Sequence, residues 1–296
     1  MQTLILDFVL PASMVVLMTG MGLTLTPRDF RRIVDAPGAT VLGTVLQLVA
    51  MPVVGIALAL AFDLPPYLAA GLVVIAACPG GMFSNVFVHI AGANTALSIT
   101  LTASATMVTL FTMPLWVRLV LDQVGVGAAE IHVPVVDTAL RLGGLTVLPI
   151  ATGMLVRAKW PESVRLEKGC TRVGALGIVG ALTYDALRRP ELPVAEFEQS
   201  LLPAFLLIAI ATAMGLGSAR AARLSFRDAV TLTLEMIVKN SLLGLVLARS
   251  SLAFEATIPI VAFSLFQTPL GVAMLTFWRW AARRAGESLP ALRVNG

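Results

Sequence analysis

Cys78-Pro79-Gly80-Gly81-Met82-Phe83-Ser84-Asn85 interrupts an apolar run that is otherwise long enough to cross a bilayer, and it does so at mid-depth. Pro79 removes a backbone donor and blocks the turn before it, while Gly80 and Gly81 permit non-helical dihedrals. A helix broken in lipid leaves N–H and C=O groups that hydrocarbon cannot satisfy, so the break must be buried in protein or line a watery cavity. Ser84 and Asn85 then place oxygen ligands at the free N-terminus of a second half-helix. Breaks of this kind are where secondary transporters bind substrates and coupling ions.

Around this stretch the composition excludes a soluble globule. Apolar residues make up 57% of the 296 positions and charged residues 13%, and the mean hydropathy is +0.89; the chain reads as a single polytopic, all-α membrane domain over residues 1–296. A net charge of +4 and a pI near 9.6 do not imply nucleic acid, because the basic residues sit in short loops between apolar stretches. Cys78 and Cys170 lack metal spacing and indicate neither a disulfide framework nor a zinc site. No cleavable signal is evident in the first apolar run, which lacks a basic leader.

With roughly 20 apolar residues per crossing, the pattern predicts about nine spans, near residues 4–25, 38–62, 65–91, 95–121, 134–157, 169–187, 200–221, 228–248 and 256–280. The sixth is the weakest, with Tyr184 and Asp185 near its end. Fifteen of the 21 Lys and Arg residues follow spans one, five, seven and nine, from Arg28 to Arg293. The opposite side carries only Arg118, Arg188, Arg189 and Arg249; Arg141 and Lys239 fall inside predicted spans. That asymmetry predicts a multi-pass protein of the inner (plasma) membrane with the N-terminus outside and the C-terminus cytoplasmic. The connections expected at 122–133 and 188–199 are of loop size, and the tail beyond Arg284 is short. Thr26-Pro27-Arg28-Asp29 and Pro65-Pro66 read as helix starts, with a tight turn at Asp63.

Polar residues inside the spans gather in two places: Ser84, Asn85, Ser98 and Thr102, and then Glu235, Lys239 and Asn240. Ser98 and Thr102 project from one helix face, and the short turn Gly92-Ala93-Asn94 folds that face back toward Ser84 and Asn85. Hydroxyl and amide oxygens suit a hard cation. A carboxylate deep in a span costs about 2.5 to 3.5 kcal/mol on insertion scales, so Glu235 is a functional candidate. Lys239, four residues on, shares its face if the helix is continuous; the plainer reading is an ion pair that only holds the helix. His89 reads as a packing histidine before a proton relay. Met14, Met18 and Met21 read as packing rather than a binding strip, and Thr106, Thr109 and Thr112 as hydroxyls bonded to preceding carbonyls.

These residues carry a family resemblance. The run from Cys78 to Thr102, together with Gly20–Phe30, Gln47-Leu-Val-Ala-Met-Pro52 and Thr231–Ser241, resembles the bile acid:sodium symporter family over nearly the whole chain. The resemblance implies an inverted-repeat transporter fold of two five-helix repeats. One helix in each is broken (65–91 and 228–248), the broken helices cross, and a core part (38–121 and 200–248) moves against a panel (1–25, 134–157 and 256–284). Relatives with ten spans have one more at the start, so the resemblance implies that this chain begins at what looks like their second.

The first sodium site carries over as Ser84, Asn85, Ser98, Thr102 and Glu235. Of the second, Gln47 and Glu235 match. A glutamine four residues after the glutamate is Lys239 here, however, and a glycine two before it is Ile237. An ammonium has no lone pair and cannot ligate sodium. The expectation is therefore one coupled Na+, with Lys239 a tethered charge at the second position and Gln47 its remnant. Asn240, Gln267, Thr268 and Met82 occupy substrate-side positions. The leading function is sodium-coupled symport of an organic anion, either bile-acid-like or a small carboxylate. A sodium-independent or proton-coupled carrier is the alternative. An intramembrane enzyme is the remote one, since catalytic constellations are missing. The sequence leaves substrate identity and oligomeric state open.

Overall fold

A computed structural model describes residues 8–29, 37–124, 135–188 and 193–284, and among them the regular elements are helical apart from one isolated bridge between Gly80 and Lys239. The helices are α1 (Leu10–Gly22), α2 (Pro37–Ala61), α3 (Pro66–Ala77), α4 (Met82–Ala91), α5 (Thr95–Gln123), α6 (Val135–Lys159), α7 (Glu167–Leu187), α8 (Val194–Ala221), α9 (Phe226–Ile237), α10 (Ser241–Ser251) and α11 (Ile258–Arg284).

Among the described residues, three helical stretches are long and apolar enough to cross a membrane: Pro37–Ala61, Val194–Ala221 and Glu255–Trp280. A fourth joins them if Thr95–Thr109 and Phe111–Gln123, bent by 59°, count as one. The other expected spans hold helices that are short, interrupted or less apolar: α1, α3, α4, α6, α7, α9 and α10. The connection expected at 188–199 is shorter than that, because α8 starts at Val194 directly after Pro193, with Glu196 in its first turn facing the positive end of the helix dipole. Most of the loop expected at 122–133 and the tail beyond Arg284 lie outside the described residues, with the charges they carry.

Prolines set the local geometry, and distant residues repair what they break. Pro52 has no N–H for the Leu48 carbonyl; a π-helical turn over Leu46–Ala50 stands just ahead of it, and Trp116 Nε1 donates to the freed Leu48 oxygen at 2.9 Å. In α5, Pro114 clashes with the carbonyl four residues back, at the bend between Thr109 and Phe111. The expected helix start at Thr26 is held by the Asp29 carboxylate, with Thr26 N–H and O–H both donating to Asp29 Oδ2. Asp63 turns the chain at φ 48°, and Pro66 opens α3.

Two packed groups result. In the first, α1 lies against α6 and α7, approaching closely because glycines stand at the crossings: a Cβ on Gly22 would meet Ile150 O at 2.2 Å and one on Gly174 would meet Ser13 O at 2.8 Å. In the second, α3 is buried on every side from Leu68 to Ala77, as a helix that is apolar all round must be. It packs against α2, α5 and α11, while α8 packs against α9 and α11. Residues 256–284, grouped with the panel by the sequence reading, thus pack against α3 and α8.

Candidate ion and substrate site

The two breaks, Cys78–Gly81 and Val238–Asn240, meet at the centre of the molecule. Asn240 N–H donates to Pro79 O at 2.9 Å, and Gly80 pairs with Lys239 in an antiparallel bridge. Side chains take up the remaining donors: Gly80 N–H donates to Gln47 Oε1 at 2.9 Å and Lys239 N–H to Gln267 Oε1 at 3.1 Å. Each interrupted helix therefore finds in the other, and in two glutamines, the partners that lipid would withhold. Both second halves start at this junction, α4 after Gly81 and α10 after Asn240, whose amide oxygen accepts from Leu243 N–H.

Glu235, on the last turn of α9, is fully buried beside this junction. Ser84 Oγ lies 2.7 Å and Ser98 Oγ 2.5 Å from its Oε1, and Thr102 Oγ1 lies 3.0 Å from its Oε2. The hairpin turn, with Gly92 at φ 68° and Asn94 capping α5, puts Ser98 Oγ 2.6 Å from Asn85 Oδ1. So Ser84, Asn85, Ser98, Thr102 and Glu235 stand together, although they come from three helices. Gly80 makes room for them: a Cβ there would sit 1.9 Å from Glu235 Oε2.

The oxygens outnumber the protons. Ser84 Oγ also lies 2.6 Å from Gly81 O. A hydroxyl has one proton, so neither Ser84 nor Ser98 can donate across both of its short contacts. Turning the Asn85 amide over relieves only the second of these conflicts. Such crowding of lone pairs around a carboxylate is what a hard monovalent cation among them would relieve. Among the described residues, no group of three or more His, Cys, Asp and Glu comes together, so the chemistry of the cluster is that of hydroxyl, amide and carboxylate oxygen.

Lys239 is buried, and its Nζ has no hydrogen-bond partner among the described residues; the same holds for Gln47 Nε2. Its electrostatic neighbours include Glu235 and Cys78. The break at Val238–Asn240 takes Lys239 out of the helix that carries Glu235, so the plain i,i+4 helix pair does not form.

A cavity of about 880 Å³ opens beside the junction, between the two helix groups. The starts of α4 and α10 line it, through Gly81, Met82 and Phe83 and through Asn240, Ser241 and Leu242. Gln267 and Thr268 of α11 add polar groups, and Thr171, Ala175, Val179, Leu182 and Ala186 give α7 one helical face toward it. Met82 Sδ lies 3.0 Å from Thr171 Oγ1, whose one proton is shared with Glu167 Oε1 at 3.0 Å, so the two groups touch across the cavity. Met18 and Met21 pack in the core and also line the cavity, so the packing reading was too narrow for them. His89 is exposed on α4, which overturns the packing expectation. Thr106 and Thr112 bond to carbonyls one turn back, but Thr109 reaches across to Ala77 O at the end of α3.

Sequence reasoning missed one contact between the two groups. Arg249 of α10 donates from Nε to Asp185 Oδ2 of α7 at 2.8 Å, with Nη2 3.5 Å from Oδ1. Asp185 had counted against its span and Arg249 as an outer loop charge; the available signal was one acidic and one basic residue, each at the end of an apolar stretch on the side poor in cations.

A model of the Sodium Bile acid symporter family matches residues 11–212. The chain is 27% identical over 273 residues to an uncharacterised sodium-dependent transporter, YocS, of Bacillus subtilis, covering 89% of this chain and 80% of that one. It is 28% identical to a probable chloroplastic sodium/metabolite cotransporter, BASS2, of Oryza sativa subsp. japonica, covering 89% of this chain and 62%, less than two thirds, of the relative. With the ileal sodium/bile acid cotransporter of Homo sapiens the identity is 25% over 317 residues, covering 99% of this chain and 86% of the relative.

Proposed function

Because the chain belongs to the sodium bile acid symporter family, a family of transporters and not of enzymes, we propose that it carries an organic anion into the cell with sodium by alternating access. The observation that supports this most is the buried Glu235 carboxylate with Ser84 and Ser98 on one oxygen and Thr102 on the other. In this reading Ser84, Asn85, Ser98, Thr102 and Glu235 hold one sodium ion as co-substrate. The second ion's place is taken by the tethered ammonium of Lys239, next to Gln47.

The anion, a bile-acid-like acid or a small carboxylate, occupies the 880 Å³ cavity. The positive ends of α4 and α10 both face it, and Asn240, Gln267, Thr268 and Met82 contact it. The architecture we propose is nine spans in an inverted-repeat pattern, α3–α4 and α9–α10 being the crossing helices, in the inner (plasma) membrane. The N-terminus faces out and the C-terminus the cytoplasm. The group of α1, α6 and α7 moves against the rest.

A second reading, a sodium-independent or proton-coupled carrier, is motivated by the unpartnered Nζ of Lys239. Uptake of radiolabelled cholate and of a panel of short-chain carboxylates into proteoliposomes separates the two. Accumulation driven by an inward sodium gradient and lost in Glu235→Gln supports symport. Accumulation driven by a proton gradient alone supports the second reading.

A further inference from the structure

Two helix groups that rock about a central site need contacts that hold one side shut and can be exchanged for water when it opens. At the cavity's edge the Asp185–Arg249 pair has this character. Leu182 and Ala186, three before and one after Asp185, line the cavity, as does Leu245, one turn before Arg249. α7 and α10 otherwise touch only sparsely, so the ion pair joins two helices that share little other contact. Asp185 is 1% exposed and Arg249 22%, whereas the pairs Arg118–Asp122 and Arg165–Glu162 are local, at i,i+4 and i,i+3, and largely exposed.

We propose that Asp185 and Arg249 form the outer latch of the transport cycle, an ion pair between α7 and α10 that closes the extracellular end of the cavity and opens when the two groups part. The side assignment rests on the topology proposed above. The physical requirement is a difference between states. Closed, the Asp185 carboxylate is out of water and is met by the guanidinium fork, so removing Arg249 weakens the compensation of a buried charge. Open, both groups are hydrated and nearly independent. A contact that stabilises only the closed state biases the equilibrium by that difference, and neutralising it shifts the population toward the outward-open form. Arg249 suits the role better than lysine would, because two N–H groups in one plane meet the carboxylate edge and fix the approach of the helices.

The test needs no substrate. In a Cys78→Ser/Cys170→Ser background, Leu245→Cys reports on the cavity one turn inside the latch. A membrane-impermeant maleimide is applied to right-side-out and then to inside-out vesicles. Asp185→Asn or Arg249→Gln is expected to raise labelling from outside about tenfold, the scale of a typical coupling between states, and to lower it from inside. The charge-exchanged Asp185→Arg/Arg249→Asp chain should return to the starting rate, and Arg249→Lys should fall between. Gel-filtration profiles identify chains that do not fold, and Asp185→Glu keeps the charge if Asp185→Asn is lost. Unchanged labelling overturns the proposal. So does an equal rise on both faces, which marks general loosening, and so does failure of the exchanged pair to restore the rate. A rise from the cytoplasmic face alone overturns the side assigned and, with it, the topology, while leaving the sodium reading untouched.

Discussion

The two interruptions at the centre of the molecule do the same structural job by different means. At Cys78–Gly81 the residues themselves forbid a helix: a proline and two glycines stand in a row, and Gly80 leaves the space that Glu235 occupies. At Val238–Asn240 nothing in the residue types forbids a helix. The chain is held open from outside, by Pro79 O on Asn240 N–H and by Gln267 on Lys239 N–H, and Asn240 then caps α10. The first break is local and makes room for the oxygen cluster around Glu235. The second is imposed by its surroundings and is free to carry a charged side chain. The residue that gives a broken helix its chemistry therefore need not be the one that breaks it.

Substitutions sharpen that contrast, in descending order of effect. Gly80→Ala drives a methyl group into the Glu235 carboxylate, so it should destabilise the protein by about 3 kcal/mol and abolish sodium-dependent stabilisation, read by thermal unfolding with and without sodium. At the other break, Gln267→Ala leaves the Lys239 N–H without its acceptor and should cost about 1 to 3 kcal/mol. A cavity that keeps sodium binding while losing anion affinity is the accompanying expectation, checked by uptake at saturating sodium. Asn240→Ala removes a cap bond worth about 1 kcal/mol, visible as a modest fall in unfolding temperature. If Gly80→Ala were as mild as Asn240→Ala, the local character of the first break would be refuted.

Much of this was legible in the sequence because the first break obeys local rules. Pro79-Gly80-Gly81 announced the interruption, and the spacing of Ser98 and Thr102 with the Gly92 turn anticipated the oxygen cluster. Glu235 stood out through the expense of a carboxylate in lipid. The second break was reached through resemblance, since no propensity in Ile237-Val238-Lys239 marks it. What stayed hidden depends on contacts far apart in sequence. Gln47 supports Gly80 through its amide oxygen, Trp116 repairs the carbonyl that Pro52 frees, and Arg249 reaches Asp185. The placement of α11 beside α3 and α8 was equally hidden, because an apolar helix offers no charge pattern that names its neighbours.

In the proposed mechanism Glu235 and its hydroxyls take one sodium ion while Lys239 stands in for a second. Its most direct test is the sodium dependence of the unfolding temperature, compared between the wild-type chain and Lys239→Gln, since stabilisation by a bound ion grows with the logarithm of its concentration and with the number of sites filled. The wild type should follow the slope of one ion, and Lys239→Gln, which restores an oxygen ligand, should approach the slope of two. A wild-type slope of two, or no response to sodium in either chain, would contradict the claim.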